Sequence, residues 1–405
     1  MMKDIAIFTA ALELESPWFI REVKFEMIDK KKELHIYVDH LKRKKFEYDG
    51  ESYPVYDHQE RMWRHLRFFQ HDCYLHARVP RVITKGDKVK LIEVPWAKLG
   101  SSFTLLFEHD VLDLIGEGMS ATGVSRRLEL GDKRVSGIVR RHVSYALSTQ
   151  NIEEVKELSV DETSTKKGHN YFTIMCDRVA KKVVGVAAGK DKEAFAHALI
   201  DMEVRGGSRE AVRTVTMDMS RSYISAVAES MGQADIVFDR FHIVKKMNEA
   251  VDKIRRAEQR EYAELNRSRY LWLKNNTKLN KEQKQKVDYL ANAYPNIGKA
   301  YRLKELLKVV LDTAYYNHRL KPLNEWIKEA WASNLKAIKE FVNMLRKHWY
   351  GIKSYFKHLA TNAFAERVNL KIQEIKRIAK GYRNTHNFII MIYFHLGGLI
   401  LKPTK

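Results

Sequence analysis

The chain is predicted to be an α/β protein built on a mixed sheet flanked by helices, preceded by a β-rich segment and a helix-turn-helix. Three observations predict it. Residues 155–239 run as three successive strands and then helix, strand, helix, strand, an order that suits one mixed sheet covered by helices. Residues 101–150 change to helical periodicity with Gly-containing turns, and residues 241–359 carry no strand pattern.

Within the first hundred residues the reading is of short strands and turns. Val23–Ile28 and Glu33–Val38 alternate apolar and polar residues on either side of Asp29–Lys32, a hairpin pattern. Aromatic and basic residues then interleave through Trp63, Arg64, His65, Leu66, Arg67 and Phe68, followed by Arg78-Val79-Pro80-Arg81 and Val94-Pro95-Trp96. From Phe103 the apolar residues Phe107, Val111, Leu112, Leu114 and Ile115 share a helix face that Gly116 and Gly118 end. Ser120 caps a short helix to Leu130. Asp132 caps a third, which carries Lys133, Arg134, Arg140 and Arg141, the pattern of a DNA-reading helix or of a bundle with a solvated basic face.

In the central segment, strands are expected at 155–160, 171–176, 182–188, 212–217 and 235–238, with helices at 191–204 and 223–231. Asp161 then ends the first strand and Asp218 the fourth. Neighbouring strands would bring both carboxylates to one sheet edge. Glu366 lies on a late helix that Thr361 or Asn362 caps and Gly381 ends. Singly, each acid reads as a turn, cap or surface residue. Jointly they form a hard-oxygen set suited to two Mg2+ or Mn2+ ions, which carry out in-line phosphoryl displacement. Glu162 points to the opposite sheet face and is left out.

Composition bounds the partners. In 405 residues, 72 Lys and Arg face 51 Asp and Glu, a formal charge of +21, which self-repels unless a polyanion neutralises it. Nucleic acid is the first partner this implies. Cys73 and Cys176 are too far apart in sequence to make a metal cluster or a disulfide scaffold. Glu13 and Glu15 interrupt the early apolar run, so no signal peptide is expected. Phe388–Leu401 is apolar but shorter than the roughly 20 residues of a bilayer span. A soluble, cytoplasmic, nucleoid-associated protein is the expectation.

Several stretches carry a resemblance. Val160-Asp161-Glu162-Thr163, Thr216-Met217-Asp218-Met219-Ser220, Asp239-Arg240-Phe241-His242, Thr361 to Asn369 and Ile375 to Asn384 resemble a DDE transposase of bacterial insertion sequences, of the ISL3 type. The similarity runs from about Phe46 to about Gly398. It implies a ribonuclease-H-like catalytic domain interrupted by a helical insertion, with the acidic triad on Asp161, Asp218 and Glu366. Asp239 and His242 match a family-type Asp-x-x-His motif and are supporting residues. Asp239 is also the alternative second carboxylate, and it can equally cap the following helix while His242 packs beneath the site. The implied domains are a degenerate zinc-ribbon-like module at 1–100, a helix-turn-helix at 101–150, the catalytic domain at 151–243 and 360–405, and an all-helical insertion at 244–359.

One departure concerns zinc. Where such proteins place paired Cys-x-x-Cys knuckles, this chain has Tyr48 and Glu51, then Thr84 and Asp87. These are not the soft ligands of a tetrahedral site, so no structural zinc is expected. Trp63, Tyr74 and Trp96 are the expected core of that module. DNA contacts are expected from Arg64, Arg67, Arg78, Arg81, Arg134, Arg140, Arg141, Lys166, Lys167 and Arg383, each of which can also be a plain surface charge. Trp272 reads as core before it reads as a base-stacking platform.

The function implied is end recognition at terminal inverted repeats, cleavage, and transfer of 3′ ends to target DNA by a dimer or larger assembly on DNA. Its rivals are a ribonuclease-H-fold nuclease without strand transfer and a domesticated transposase retained as a DNA-binding protein.

Overall fold

The computed structural model describes residues 2–402 except 153, 167, 169, 318–319 and 359–362. The chain divides into two compact units, residues 1–142 with 401–405, and residues 143–400.

The first unit begins with a helix, α1 (Met2–Ala11), where strands and turns were expected. A ten-residue segment that is apolar at most positions is compatible with either periodicity, and length alone does not decide. Seven strands follow: β1 (Trp18–Ile28), β2 (Lys31–His40), β3 (Phe46–Tyr48), β4 (Glu51–Tyr53), β5 (Asp57–Phe68), β6 (His71–Ile83) and β7 (Val89–Leu91). Four of them are long rather than short, and they pair in the order β1-β2-β6-β5, with β7 on β6. The β1–β2 hairpin turns on Asp29 and Lys30 alone, both at positive φ, with Ile28 opposite Lys31. Two consecutive left-handed residues match the twist of a two-residue hairpin. Trp63 and Trp96 are buried edge to face, as is Trp18 against Trp96.

Three helices complete this unit: α2 (Leu105–Gly116), α3 (Ala121–Leu128) and α4 (Asp132–Thr149), the last continuing into the second unit. Thr104 and Ser120 cap α2 and α3 by accepting from Phe107 N and Gly123 N. Glu129 ends α3 in the left-handed conformation. Apolar residues of the three helices, including Val111, Ile115, Val124, Val135 and Ile138, are buried. Their polar centre is Glu108, fully buried, which accepts from Ser101 Oγ at 2.7 Å, meets His142 Nε2 at 2.6 Å and pairs with Arg141.

The second unit holds a five-stranded sheet: β8 (Glu157–Ser164), β9 (Tyr171–Asp177), β10 (Lys182–Ala188), β11 (Thr214–Met217) and β12 (Asp235–Phe238). Its order is β10-β9-β8-β11-β12; β8–β9–β10 are antiparallel, and β11 is parallel to both β8 and β12. The crossover helices are α5 (Lys192–Glu203), capped by Asp191, and α6 (Arg221–Ser230). Gly185 lets β10 approach α5 closely, since a Cβ there would overlap the carbonyl of Ala198.

After β12 every described element up to residue 358 is helical: α7 (Arg240–Glu258), α8 (Arg269–Leu273), α9 (Lys281–Ala293), α10 (Pro295–Asn317), α11 (Lys321–Ala332), α12 (Lys336–Lys347) and α13 (Trp349–His358), with two short 3-10 turns. Trp272 is core: fully buried, its indole donates to Ser268 Oγ at 3.0 Å. Trp326 likewise donates to Leu303 O at 2.9 Å. Two helices close the unit, α14 (Ala363–Ile378) and α15 (Thr385–Leu396), the second capped by Asn384. Among the described residues no helix is long and apolar enough to cross a membrane.

Candidate active site and nucleic-acid interface

β8 extends past the expected end at 160, so Asp161 sits within the strand and not at its terminus. Antiparallel pairing with β9 carries the strand on, down to Ser164 opposite Tyr171. On its other edge β8 pairs with β11 as far as Ser159 opposite Thr216. Asp161 and Asp218 each lie two residues beyond that last pair. β11 in turn ends with Met217 opposite Phe238 of β12, so Asp218 and Asp239 each lie one residue beyond. Register thus sets Asp161, Asp218 and Asp239 in one row across three adjacent chains. Adjacent strands lie about 4.8 Å apart, so the first two acids are near neighbours.

The electrostatics agree with this row. Burial raises the Asp161 carboxyl to about 6, with Asp218 and Glu162 adding to the rise while the Glu162 backbone N–H and His242 oppose it. Asp161 Oδ1 accepts from Glu162 N at 2.8 Å, and Oδ2 accepts from Asn369 Nδ2 at 2.8 Å. Asp218 Oδ1 accepts from Ser220 N at 2.9 Å, a turn that starts α6. Asp239 is buried and caps α7, accepting from Phe241 N at 3.3 Å, and so is engaged in holding that helix. His242, in the first turn of α7, acts electrostatically on Asp161.

The late helix docks on β8 through polar groups that were not foreseen. Besides Asn369, Gln373 Nε2 donates to Thr163 Oγ1 at 2.9 Å and Ser164 O at 3.0 Å, and Lys376 Nζ donates to Ser164 O at 3.1 Å. Positions 369, 373 and 376 make one stripe of α14, beside the buried Val368, Ile372 and Ile375. Glu366 continues that stripe one turn earlier, about 4.5 Å along the axis from Asn369, and is exposed. Among the described residues no three His, Cys, Asp or Glu side chains are gathered closely enough to hold a metal ion, so Glu366 is not drawn in beside Asp161 and Asp218 here. The cap candidates Thr361 and Asn362 lie outside the described residues.

Donor chemistry tests the fit of a divalent cation. Two carboxylates side by side are the hard-oxygen ligands such an ion takes. Asn369 Oδ1 is buried and finds no hydrogen-bond donor among the described residues, a vacancy in bonding that a hydrated cation beside Asp161 would fill. The residues fit.

In the first unit, ion pairs hold most of the expected DNA-contacting arginines. Arg64 and Arg67 both meet Asp72, at 2.9 and 2.7 Å, and Arg67 also meets Glu129 at 2.7 Å. Arg81 pairs with Asp57, Arg141 with Glu108, and Arg78 lies 3.8 Å from Asp39. Arg134 lies over the Phe103 ring, and Arg140 is exposed on α4. In the second unit Lys166 and Arg383 are exposed. Lys167 lies outside the described residues.

The zinc-ribbon positions form two turns. Tyr48 and Glu51 flank the β3–β4 turn, and Thr84 and Asp87 close another through Asp87 N to Thr84 O at 3.0 Å. Glu51 pairs with Lys85. Elsewhere in the module, imidazole nitrogens approach each other at 2.8 Å in two places, His35 with His76 and His40 with His58. Cys73 is buried, which pushes its thiol up to about 12.

Comparison with known proteins gives three family matches in chain order. Residues 48–83 match the zinc-finger of the transposases of IS204, IS1001, IS1096 and IS1165. Residues 92–143 match the helix-turn-helix domain of transposase family ISL3, and residues 158–392 match the ISL3-type DDE domain described as a transposase. The first match overturns the expectation of no structural zinc: it points to a zinc in this module, despite the lost cysteines at the four knuckle positions. Among similar proteins, the transposase for insertion sequence element IS1557 of Mycobacterium tuberculosis is 24% identical over 98% of this chain and 96% of its own length. The transposase for IS1001 of Bordetella parapertussis is 26% identical over 68% of this chain and 70% of its own.

Proposed function

Because the chain belongs to the ISL3 family of transposases, we propose that it is a DNA transposase that cuts at the inverted ends of its own element and joins the exposed 3′ ends to target DNA. The observation that carries the chemistry is the register-matched pair of Asp161 in β8 and Asp218 just past the end of β11, the parallel strand beside it, with the helix bearing Glu366 hydrogen-bonded to β8. Three antiparallel strands followed by two parallel ones, with one acid in the first and another just past the end of the fourth, support a ribonuclease-H-like reading of the sheet.

In this reading Asp161 and Asp218 hold the cations, and Glu366 completes the set when DNA draws the start of α14 inward. Two Mg2+ or Mn2+ ions, when bound, supply the charge that activates an attacking oxygen and stabilises the leaving one. The rest falls to the chain itself. Asp239 fixes the start of α7 and so the place of His242, which works against the rise in the Asp161 pKa. The exposed side of α4, with Lys133, Arg134 and Arg140, meets the terminal repeat, while Lys166 and Arg383 lie along the scissile strand. Handling two ends at once calls for a dimer or larger assembly on DNA.

The test is a cleavage and joining assay with end-containing DNA labelled at its 3′ strand, run with and without Mg2+. Wild type should nick at the element ends and produce joined product, and Asp161→Ala should do neither. Equal products from both proteins would refute the catalytic assignment, and nicking without joining would make the protein a nuclease alone.

A further inference from the structure

We propose that Asn369 is a positioning residue of the active site: it orients the Asp161 carboxylate through Nδ2 and holds a water of the bound cation through Oδ1. The inference rests on the catalytic reading of Asp161 and deepens it.

Two observations carry it. An ionised carboxylate only accepts hydrogen bonds, so the amide must turn Nδ2 to Asp161, as the 2.8 Å contact shows. That choice fixes where Oδ1 goes. The oxygen is left within the same amide group, beside the carboxylate, buried and with no donor among the described residues. Burying an amide oxygen without a donor is costly, and a polar helix face against a strand offers cheaper alternatives. Gln373, one turn later, shows one: its amide nitrogen is shared between Thr163 Oγ1 and Ser164 O, at 2.9 and 3.0 Å. Gln373 thus docks the helix, while Asn369 spends its donor on the carboxylate and keeps an acceptor in reserve. A divalent cation beside Asp161 retains several waters, each a strong donor once polarised. Asn369 also lies one turn from Glu366 on the same stripe, so fixing the amide on Asp161 sets the axial position of α14 from which Glu366 approaches.

The test measures Mn2+ binding to the metal-free full-length protein by electron paramagnetic resonance, alongside thermal unfolding, for wild type, Asn369→Ala, Gln373→Ala and Asp161→Ala. Outer-shell partners of metal ligands typically contribute about 10- to 100-fold in affinity. Asn369→Ala should therefore bind Mn2+ at least about 10-fold more weakly, whereas Gln373→Ala should bind as wild type does, even where its melting temperature falls. Equal affinity in wild type and Asn369→Ala overturns the proposal and leaves the catalytic reading standing. Equal weakening in Gln373→Ala also overturns it, by showing that docking of the helix is the whole effect. If wild type and Asp161→Ala bind alike, or neither binds, the cation site itself is refuted, and this proposal with it.

Discussion

Asn369 donates its side-chain amide to Asp161 Oδ2 at 2.8 Å, a bond between residues 208 positions apart in the chain. The bond ties the helix that follows the insertion to the first strand of the sheet that precedes it. Whatever the insertion does, Glu366 is presented from a helix already referenced to Asp161.

The half-buried Asp161 carboxylate should cost stability in the metal-free protein. Burial raises its folded pKa from an ordinary value near 3.8 to about 6, so the folded state holds the proton more tightly than the unfolded one. Stability from this group is then full below pH 4 and is lost as pH rises through 6. Asp161→Asn should raise the stability of the metal-free protein by up to about 2 kcal/mol at pH 7.5, and by little at pH 4. Denaturant unfolding at the two pH values checks this. Mg2+ should stabilise wild type and leave Asp161→Asn unmoved.

Asp218→Asn and Glu366→Gln should each abolish Mg2+-dependent cleavage by more than about 1000-fold, since in-line displacement loses a cation ligand in both. They should differ in binding. Asp218 already stands beside Asp161, whereas Glu366 is exposed. Mn2+ affinity without DNA should therefore fall in Asp218→Asn and hold in Glu366→Gln. A Glu366→Gln protein that cleaves normally would remove Glu366 from the site.

How much of this was readable in advance depends on whether the deciding partner is local. Asp218 follows the fully buried run Thr214–Met217, and the four-residue strand ends where its burial ends. The end of β8 was misjudged because Thr163 is buried on pairing with β9, and a threonine in a polar stretch gives no sign of that. Asn369 and Gln373 read as ordinary solvated helix residues, and only the strand beneath them makes them contacts. Arg64 and Arg67 pose the same problem in reverse. A basic-aromatic stretch reads as a DNA surface, yet Asp72 and Glu129 pair with both arginines or with Arg67, and Glu129 lies in a separate helical segment. The succession of strands and helices between residues 155 and 239 follows from periodicity and was legible, as was the placing of Trp272 in the core. Side-chain partners distant in sequence were not.

Gly185→Ala should destabilise the second unit by about 2 kcal/mol or more. The glycine backbone is not in the left-handed region, so the cost is steric: the added methyl meets the Ala198 carbonyl of α5, and backbone cannot step aside as a flexible side chain can. Thermal unfolding of the variant checks it. Gly137→Ala is the control, since a Cβ there meets nothing within 4 Å, and it should be neutral or slightly stabilising as a helix substitution.

Two neighbouring arginines of α4 should separate folding from DNA binding. Arg141 pairs with Glu108, which is fully buried. Burial works against the Glu108 charge, yet His142, Ser101 and Arg141 together hold its pKa below the ordinary value. A carboxylate held low contributes stability above pH 4.5 that is lost as pH falls through its folded pKa. Glu108→Ala should cost about 1–3 kcal/mol near neutral pH, because it leaves the buried side chains of His142 and Ser101 without their carboxylate partner, and the deficit should narrow in acid. Arg141→Ala should lower stability in the same direction but less, as Glu108 keeps His142 and Ser101. Arg140 is exposed, so Arg140→Ala should leave the unfolding midpoint alone. Its effect should appear instead in DNA affinity, with the slope of log K against log salt falling by about one if it meets a single phosphate. Fluorescence anisotropy over a salt series, set against denaturant unfolding of the same proteins, resolves the two. If Arg140→Ala left affinity and slope unchanged, the recognition face of α4 would have to be sought on another side of the helix.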